Sequence, residues 1–131
     1  MDNHTICALA TATRGAIGIV RVSGEKAIEI TDCIFKSTRL KTLCDAKANS
    51  LHYGEVHDKE GNVIDEVLVS IFRSPHSYTG EDSTEISCHG SAFILGQVIK
   101  ALIDVGCRQA EPGEFTKRAY LNGKMDLSQA E

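Results

Sequence analysis

The sequence predicts an α+β domain with a mixed or antiparallel sheet backed by helices. Segments with the apolar content of β-strands occur in pairs that suit hairpins, and longer segments between them place apolar residues at helical spacing. A chain of 131 residues, of which 42% are hydrophobic and 24% charged, is typical of one soluble globular domain. These observations together favour strands and helices in one folded unit.

The N-terminal part is predicted to contain two strands and one helix. Residues 5–10 and 17–23 have the apolar content of strands and are separated by a loop at 11–15. Residues 24–35 place apolar side chains on one side of a helix. Residues 36–49 have no firm period, so no element is predicted there.

A hairpin is predicted next, from residues 50–57 and 63–73 around a polar turn at 58–62. The second strand has apolar residues on both faces, which suits a strand covered on one face and partly covered on the other. The polar loop at 74–82 follows and is longer than most connections. Its length marks it as a functional candidate.

The C-terminal part is predicted to contain a strand at 84–88, a helix at 91–105, a short strand at 108–110 and a helix at 114–121. The last helix places Glu114 four residues before Arg118, and both are expected on its solvent side. The apolar side of the longer helix is expected to consist of Leu95, Val98, Ile99, Leu102 and Ile103.

The end of the sequence combines a turn with the first residues of a further helix. Asn122 and Gly123 tolerate the left-handed conformation of a C-cap, so they are predicted to end the preceding helix and to present Lys124 on a turn. A capping box at 126–129 is followed by too few residues for a stable helix. We therefore expect a longer protein, with one domain at 1–125 and a helical domain that starts at 126–131.

Composition limits the partners of the chain. Its 14 Lys and Arg against 18 Asp and Glu give a net charge of -4, and an acidic domain without a basic stripe is a poor candidate for binding RNA or DNA by itself. Five widely spaced cysteines favour reduced thiols and a cytoplasmic location. No segment approaches the roughly 18 apolar residues of a membrane span, so no membrane partner is expected.

Three signatures of nucleotide or metal sites are absent. The pair Gly123-Lys124 lacks the earlier glycine and the following Ser or Thr of a P-loop. The glycines around residues 15–18 lead into a strand, unlike those of a dinucleotide fingerprint. Cys88 and His89 point to opposite faces of a strand, which predicts a buried thiol and a turn histidine without a metal. No catalytic residue is assigned to this chain.

Five stretches of the sequence carry a family resemblance. They are TICA at 5–8, GIVRVSG at 18–24, YTGED at 78–82, HG at 89–90 and EPGEFTKRAYLNGKMDLSQAE at 111–131. In this order they resemble the N-terminal domain of the MnmE family of tRNA modification GTPases, also called TrmE. The last stretch is too long to match by chance.

The resemblance implies a domain that forms a homodimer and binds 5-formyltetrahydrofolate or another one-carbon tetrahydrofolate. It also implies a fold similar to the tetrahydrofolate-binding domain of the glycine-cleavage aminomethyltransferase. In the family, GTP, potassium and magnesium bind to a separate GTPase domain. With the flavoprotein MnmG, the whole protein modifies the wobble uridine of tRNA at carbon 5.

The same resemblance places the folate contacts at Arg21, Glu85 and Lys124. A pterin presents an N–H beside an exocyclic amine, and a carboxylate can accept both hydrogen bonds. Glu85 is therefore expected to bind the pterin. Arg21 and Lys124 suit the pterin carbonyl, the formyl oxygen or the glutamate tail, and the sequence does not distinguish these roles. Without the resemblance, Arg21 suits a surface position on a strand edge and Glu85 a solvent-facing position on a strand. Lys124 suits a charge that interacts with the dipole at the end of a helix.

Two alternative functions fit the same sequence. One is a dimerisation module that does not bind folate. The other is a folate-dependent domain similar to an aminomethyltransferase. Titration with 5-formyltetrahydrofolate separates the first from a folate-binding domain, and turnover by this chain alone would indicate the second.

Overall fold

The computed structural model describes residues 4–11 and 15–124. These residues form an α+β domain with one mixed sheet, as the sequence predicts. The predicted capping box at 126–129 and part of the predicted loop at 11–15 lie outside the described residues. The strands are β1 Ile6–Leu9, β2 Ile17–Ser23, β3 Phe35–Lys36, β4 Ser50–His57, β5 Val63–Phe72, β6 Ser83–His89 and β7 Arg108–Gln109. The helices are α1 Ala27–Ile34, α2 Ala92–Asp104 and α3 Glu114–Leu121, and a 3₁₀ helix spans Leu43–Asp45.

The strands are ordered β3-β4-β5-β6-β2-β1-β7 across the sheet. The pairings are antiparallel apart from that of β1 with β7, which is parallel and makes the sheet mixed. Strands β2 and β6 are neighbours although they are far apart in the sequence. This pairing brings polar residues of the two strands side by side.

Helices α1 and α2 pack against one face of the sheet, which we call the inner face. Alternate residues of β2, β5 and β6 point to this face and are buried, as the period of a strand requires. Each large aliphatic side chain buried in this way stabilises the fold by roughly 1.5–3 kcal/mol. The core includes Val20, Val22, Val67, Val69, Ile71, Ile86, Leu95, Val98 and Leu102.

One side chain on α2 differs from the prediction. Leu95, Val98 and Leu102 are buried, but Ile103 is 42% exposed. Ala101 is buried instead, because the buried side of the helix is centred on Val98 and Leu102 and position 103 is turned away from it. Ser91 caps the helix, since its hydroxyl accepts a hydrogen bond from the Ile94 N–H.

The opposite face of the sheet, the outer face, is covered over only part of its area. Loop 74–82 and α3 lie over the end of β2, where Tyr78 and Phe115 contact Arg21. Apolar side chains of β4 and β5 remain exposed elsewhere on this face. In the part of the chain that the structure describes, no helix has the length and apolar content needed to cross a membrane.

Candidate functional site

Two of the three predicted site residues form an ion pair on the outer face. Arg21 on β2 and Glu85 on β6 lie directly opposite each other in the antiparallel register. Nε and Nη2 of Arg21 each lie 3.0 Å from Oε2 of Glu85. Both contacts are made with Oε2. No described residue donates a hydrogen bond to the other carboxylate oxygen, Oε1. This oxygen is therefore a potential acceptor for a ligand.

Aromatic rings from two other elements contact the Arg21 guanidinium. Its central carbon lies 4.9 Å from the ring centroid of Tyr78 and 5.8 Å from that of Phe115. These distances fall within the range of cation–π attraction. The Tyr78 hydroxyl also lies 3.1 Å from Oγ1 of Thr116, so loop 74–82 and α3 meet above the ion pair. The guanidinium is thereby held in one orientation.

Lys124, the third predicted residue, is connected to the ion pair through loop 74–82. Its ammonium donates a hydrogen bond of 3.0 Å to the carbonyl of Pro75, at the start of this loop. The preceding Gly123 has a φ of 74°, which confirms the predicted left-handed C-cap of α3. The structure thus brings Arg21 and Glu85 into contact and places Lys124 against the loop that borders them.

The turn after α3 also fixes the tip of the loop. The side-chain amide of Asn122 donates a hydrogen bond of 2.8 Å to the carbonyl of Thr79. Gly80, which follows Thr79, has a φ of 85°. A Cβ at position 80 would lie 2.9 Å from the Cβ of Asn122. Glycine is therefore required both by the backbone conformation and by the close approach of the turn.

Arg118 is buried, which corrects its expected position on the solvent side of α3. Only 6% of the residue is exposed. Its guanidinium donates to Glu81 on the loop, at 3.2 and 3.3 Å, and to the carbonyl of His4, at 2.7 Å. The predicted contact with Glu114 is present, at 3.3 Å. Burial follows from the partners on the loop and just before β1, which helical spacing alone does not show.

An open apolar surface begins beside the ion pair. The next row of outward-facing residues crosses the sheet through Ile19, Ser87, Leu68 and Tyr53. A groove of about 290 Å³ lies over this part of the sheet and does not include the three predicted site residues. Its apolar lining is well exposed, with values of 62% for Ile17 and 40% for Leu68. The ion pair therefore lies at the boundary between the covered and open parts of the outer face.

Cys88 and His89 behave as separate groups. The Cys88 thiol lies on the inner face, where burial raises its pKa to about 12 and keeps it protonated at neutral pH. This agrees with the expected buried thiol. His89 is exposed, ends β6 instead of lying in a turn, and has its Nδ1 2.8 Å from Oδ1 of Asp65. The two side chains are therefore not poised for joint nucleophilic chemistry.

Several residues of the site were not predicted individually. Tyr78 belongs to the loop whose length marked it as a functional candidate, whereas Phe115 lies in the predicted helix at 114–121 without a predicted role. Glu81 and Arg118 form their contact over 37 residues of sequence. The long loop was the available signal for Tyr78 and Glu81, and no local pattern indicates the partner on α3.

Comparison with known proteins gives a consistent family assignment. Residues 5–124 match the family model described as "GTP-binding protein TrmE N-terminus". The chain is 61% identical to the tRNA modification GTPase MnmE of Bacteroides thetaiotaomicron and 61% identical to that of Bacteroides fragilis. Each alignment covers 100% of this chain and 28% of the relative.

A more distant relative supports the same assignment. The tRNA modification GTPase MnmE of Alkaliphilus oremlandii is 54% identical over 98% of this chain and 28% of its own length. The chain thus spans somewhat more than a quarter of the length of these relatives. From the match over nearly all described residues, we conclude that the chain belongs to the TrmE N-terminal family.

Proposed function

We propose that this chain is the tetrahydrofolate-binding and dimerisation domain of a tRNA modification GTPase. The observation that carries the proposal is the Arg21–Glu85 pair, which lies on a sheet surface bordered by two aromatic rings. The ligand is 5-formyltetrahydrofolate or another one-carbon tetrahydrofolate. The fold is proposed to be similar to the folate-binding domain of the glycine-cleavage aminomethyltransferase.

The contacts around Glu85 fit a pterin ring. Arg21 occupies Oε2, and each carboxylate oxygen can accept more than one hydrogen bond. Glu85 can therefore accept the pterin N–H and exocyclic amine while Arg21 holds the carboxylate in one orientation. The row through Ile19, Ser87 and Leu68 offers a largely apolar surface beside the pair. A planar ring placed there would bury one face while its polar edge meets Glu85.

Lys124 suits a second contact at the other end of the ligand. Its ammonium is exposed, and its hydrogen bond to the Pro75 carbonyl places it next to loop 74–82. Folate glutamate tails carry carboxylates, which attract an exposed ammonium. We assign Lys124 to an acidic or carbonyl group of the ligand. Arg21, Glu85 and Lys124 thus bind and orient the ligand and break no bond.

The open part of the outer face supports the proposed homodimer. Ile17 and Tyr53 are 62% and 60% exposed. Leu68 is on β5, which lies between β6, the strand of Glu85, and the β3 edge of the sheet. A contiguous exposed apolar patch of this kind marks an interaction site in a soluble protein. A second copy placed on it would remove this surface from water and close the open side of the folate site.

We propose that the remaining activities belong to parts of the parent protein outside these residues. The relatives are named tRNA modification GTPases, and this chain spans 28% of their length in the two Bacteroides proteins. GTP, potassium and magnesium would bind in a separate GTPase domain. In the cytoplasm the parent protein would act on the wobble uridine of tRNA together with MnmG.

Calorimetric titration of the purified chain with 5-formyltetrahydrofolate tests the folate site. We expect saturable binding by the wild type and a loss of affinity of at least tenfold in Glu85→Ala, because a hydrogen bond to a charged group contributes about 1.5–3 kcal/mol. Glu29→Ala is the control, since it removes an equal charge from the exposed side of α1.

The titration also distinguishes the alternatives. Binding that is equal in the wild type and Glu85→Ala would place the ligand elsewhere. An absence of binding by the folded wild type would exclude the folate function and leave the dimerisation module. Turnover of a one-carbon tetrahydrofolate by the chain alone would instead indicate an aminomethyltransferase-like activity.

A further inference from the structure

Arg118 is the most buried charged residue among those that the structure describes, and it contacts loop 74–82, α3 and the segment just before β1. Its side chain is 7% exposed and contacts Glu81 on loop 74–82 and Glu114 on α3. It also donates a hydrogen bond to the carbonyl of His4, just before β1. A buried cation is tolerated only when it is paired and hydrogen-bonded. Arg118 therefore joins the loop, the helix and the segment before β1 at one point.

A chain of hydrogen bonds leads from Arg118 to the strand that carries Arg21. Oε1 of Glu81 accepts from Arg118 and from the hydroxyl of Ser23, the latter at 2.8 Å. The same hydroxyl lies 2.6 Å from Oγ1 of Thr79. Ser23 is two residues after Arg21 and points to the same outer face. The loop is thus hydrogen-bonded to β2 immediately beside the candidate folate site.

The positions of both aromatic neighbours of Arg21 depend on these hydrogen bonds and ion pairs. Tyr78 immediately precedes Thr79, and its ring covers the guanidinium at 4.9 Å. Phe115 lies one turn before Arg118 on α3 and contacts the guanidinium from the helix side. Arg118 holds the loop and the helix together, so it sets the positions of both rings relative to Arg21.

We propose that Arg118 is a positioning residue for the folate site and acts through Glu81 and loop 74–82. The inference rests on the proposed folate function. Without the guanidinium, Glu81 loses its cationic partner in a poorly solvated place, and the loop gains freedom to move away from β2. Arg21 then loses its fixed orientation, and Lys124 loses the loop carbonyl against which it rests.

A positioning role differs measurably from a general contribution to stability. Val98→Ala serves as a stability control, because Val98 is buried in the core on the inner face and does not touch the loop. This variant lowers the unfolding temperature by leaving a cavity, while the folded molecules keep an intact folate site. Arg118→Met removes the guanidinium but keeps much of the side-chain volume. Arg118→Lys restores the charge without the planar fork.

The test compares the affinity of the 131-residue chain and its variants for 5-formyltetrahydrofolate, together with amide hydrogen exchange across loop 74–82. For Arg118→Met we expect a loss of affinity on the order of tenfold or more and faster exchange in the loop. Arg118→Lys should recover part of both. Glu81→Gln should weaken binding in the same direction and provides the test if the Arg118 variants do not fold. Val98→Ala should bind as the wild type does.

Two results would overturn the inference while leaving the folate function intact. One is wild-type affinity in folded Arg118→Met, or in Glu81→Gln where the Arg118 variants do not fold. The other is an equal loss of affinity in Val98→Ala, which would reduce the effect to stability. A wild type that does not bind folate at all overturns both proposals, so the two failures are distinguishable.

Discussion

At the scale of single residues, the orientation of Arg21 explains why the candidate site is ordered before any ligand arrives. The guanidinium is held from one side by Glu85 and contacted by the rings of Tyr78 and Phe115. An arginine with a fixed fork loses less side-chain entropy when it meets a ligand oxygen than a freely rotating one does. The aromatic contacts therefore favour binding even though they form no hydrogen bond with the ligand.

Glu114 gives a pH-dependent prediction at the same scale. Hydrogen bonds from Arg108, reinforced by the Glu111 N–H and the charge of Arg118, lower the pKa of Glu114 from 4.5 to about 2. A carboxylate with a lowered pKa stabilises the folded state above pH 4.5, and this contribution is lost as the pH falls towards 2. We expect Glu114→Gln to be less stable than the wild type at pH 7, with a gap that narrows between these pH values.

Urea unfolding at a series of pH values measures this gap. Lys100→Met is a suitable control, because it removes an exposed ion pair with Asp104 and should change stability little at any of these pH values. A gap between wild type and Glu114→Gln that stays constant down to pH 2 would contradict the assignment of the lowered pKa to Glu114.

At the scale of elements, α2 supplies much of the contact between the helices and the inner face. Leu102 on the last turn is fully buried, whereas Phe93 on the first turn is 74% exposed. We expect Leu102→Ala to lower the free energy of unfolding by about 2–5 kcal/mol, because it removes buried methyl groups and leaves a cavity. Phe93→Ala should change it by no more than about 0.5 kcal/mol.

Chemical denaturation of the two variants checks this assignment of the faces of α2. Equal destabilisation by Leu102→Ala and Phe93→Ala would show that the helix is oriented differently. Both substitutions are made in the same helix. The differences in helix propensity among leucine, phenylalanine and alanine are small beside the expected cavity effect.

Much of this element structure follows from local sequence patterns. The predicted bounds of β2, β4 and α3 agree with the structure, because turn-forming residues lie next to the ends of each segment. Strand β3 and the 3₁₀ helix were not predicted, since elements of two or three residues are too short to show a period. The order of the strands depends on contacts between distant segments, which no local pattern encodes.

The candidate site was predictable to a smaller extent. Arg21 and Glu85 come from the family resemblance, and the structure adds that they face each other in the register of β2 and β6. The burial of Arg118 was missed because its partner Glu81 is 37 residues away. Charged side chains at helical spacing usually face solvent, and only the folded loop shows that this one does not.

At the scale of the whole molecule, the open part of the outer face predicts self-association. Leu68→Glu places a charge in the middle of the exposed apolar row and should weaken the dimer strongly, because burying an unpaired carboxylate at an interface is costly. Phe93→Glu is the matched control, since Phe93 lies on α2, which packs against the inner face. Sedimentation at high micromolar concentration measures the effect.

The outcome of this sedimentation experiment is decisive for the proposed interface. We expect a dimer for the wild type and for Phe93→Glu, and a shift towards monomer for Leu68→Glu. A wild type that stays monomeric at these concentrations, or a dimer that Leu68→Glu leaves unchanged, would contradict an interface on the open sheet face.

Folate binding on the outer face around Arg21 and Glu85 can be observed in a crystal structure of the chain with bound 5-formyltetrahydrofolate. We expect the pterin edge within hydrogen-bond distance of the Glu85 carboxylate, its ring over the row that includes Leu68, and Tyr78 still beside Arg21. A ligand bound away from Glu85, with the Arg21–Glu85 pair outside its contacts, would show that this face is not the folate site.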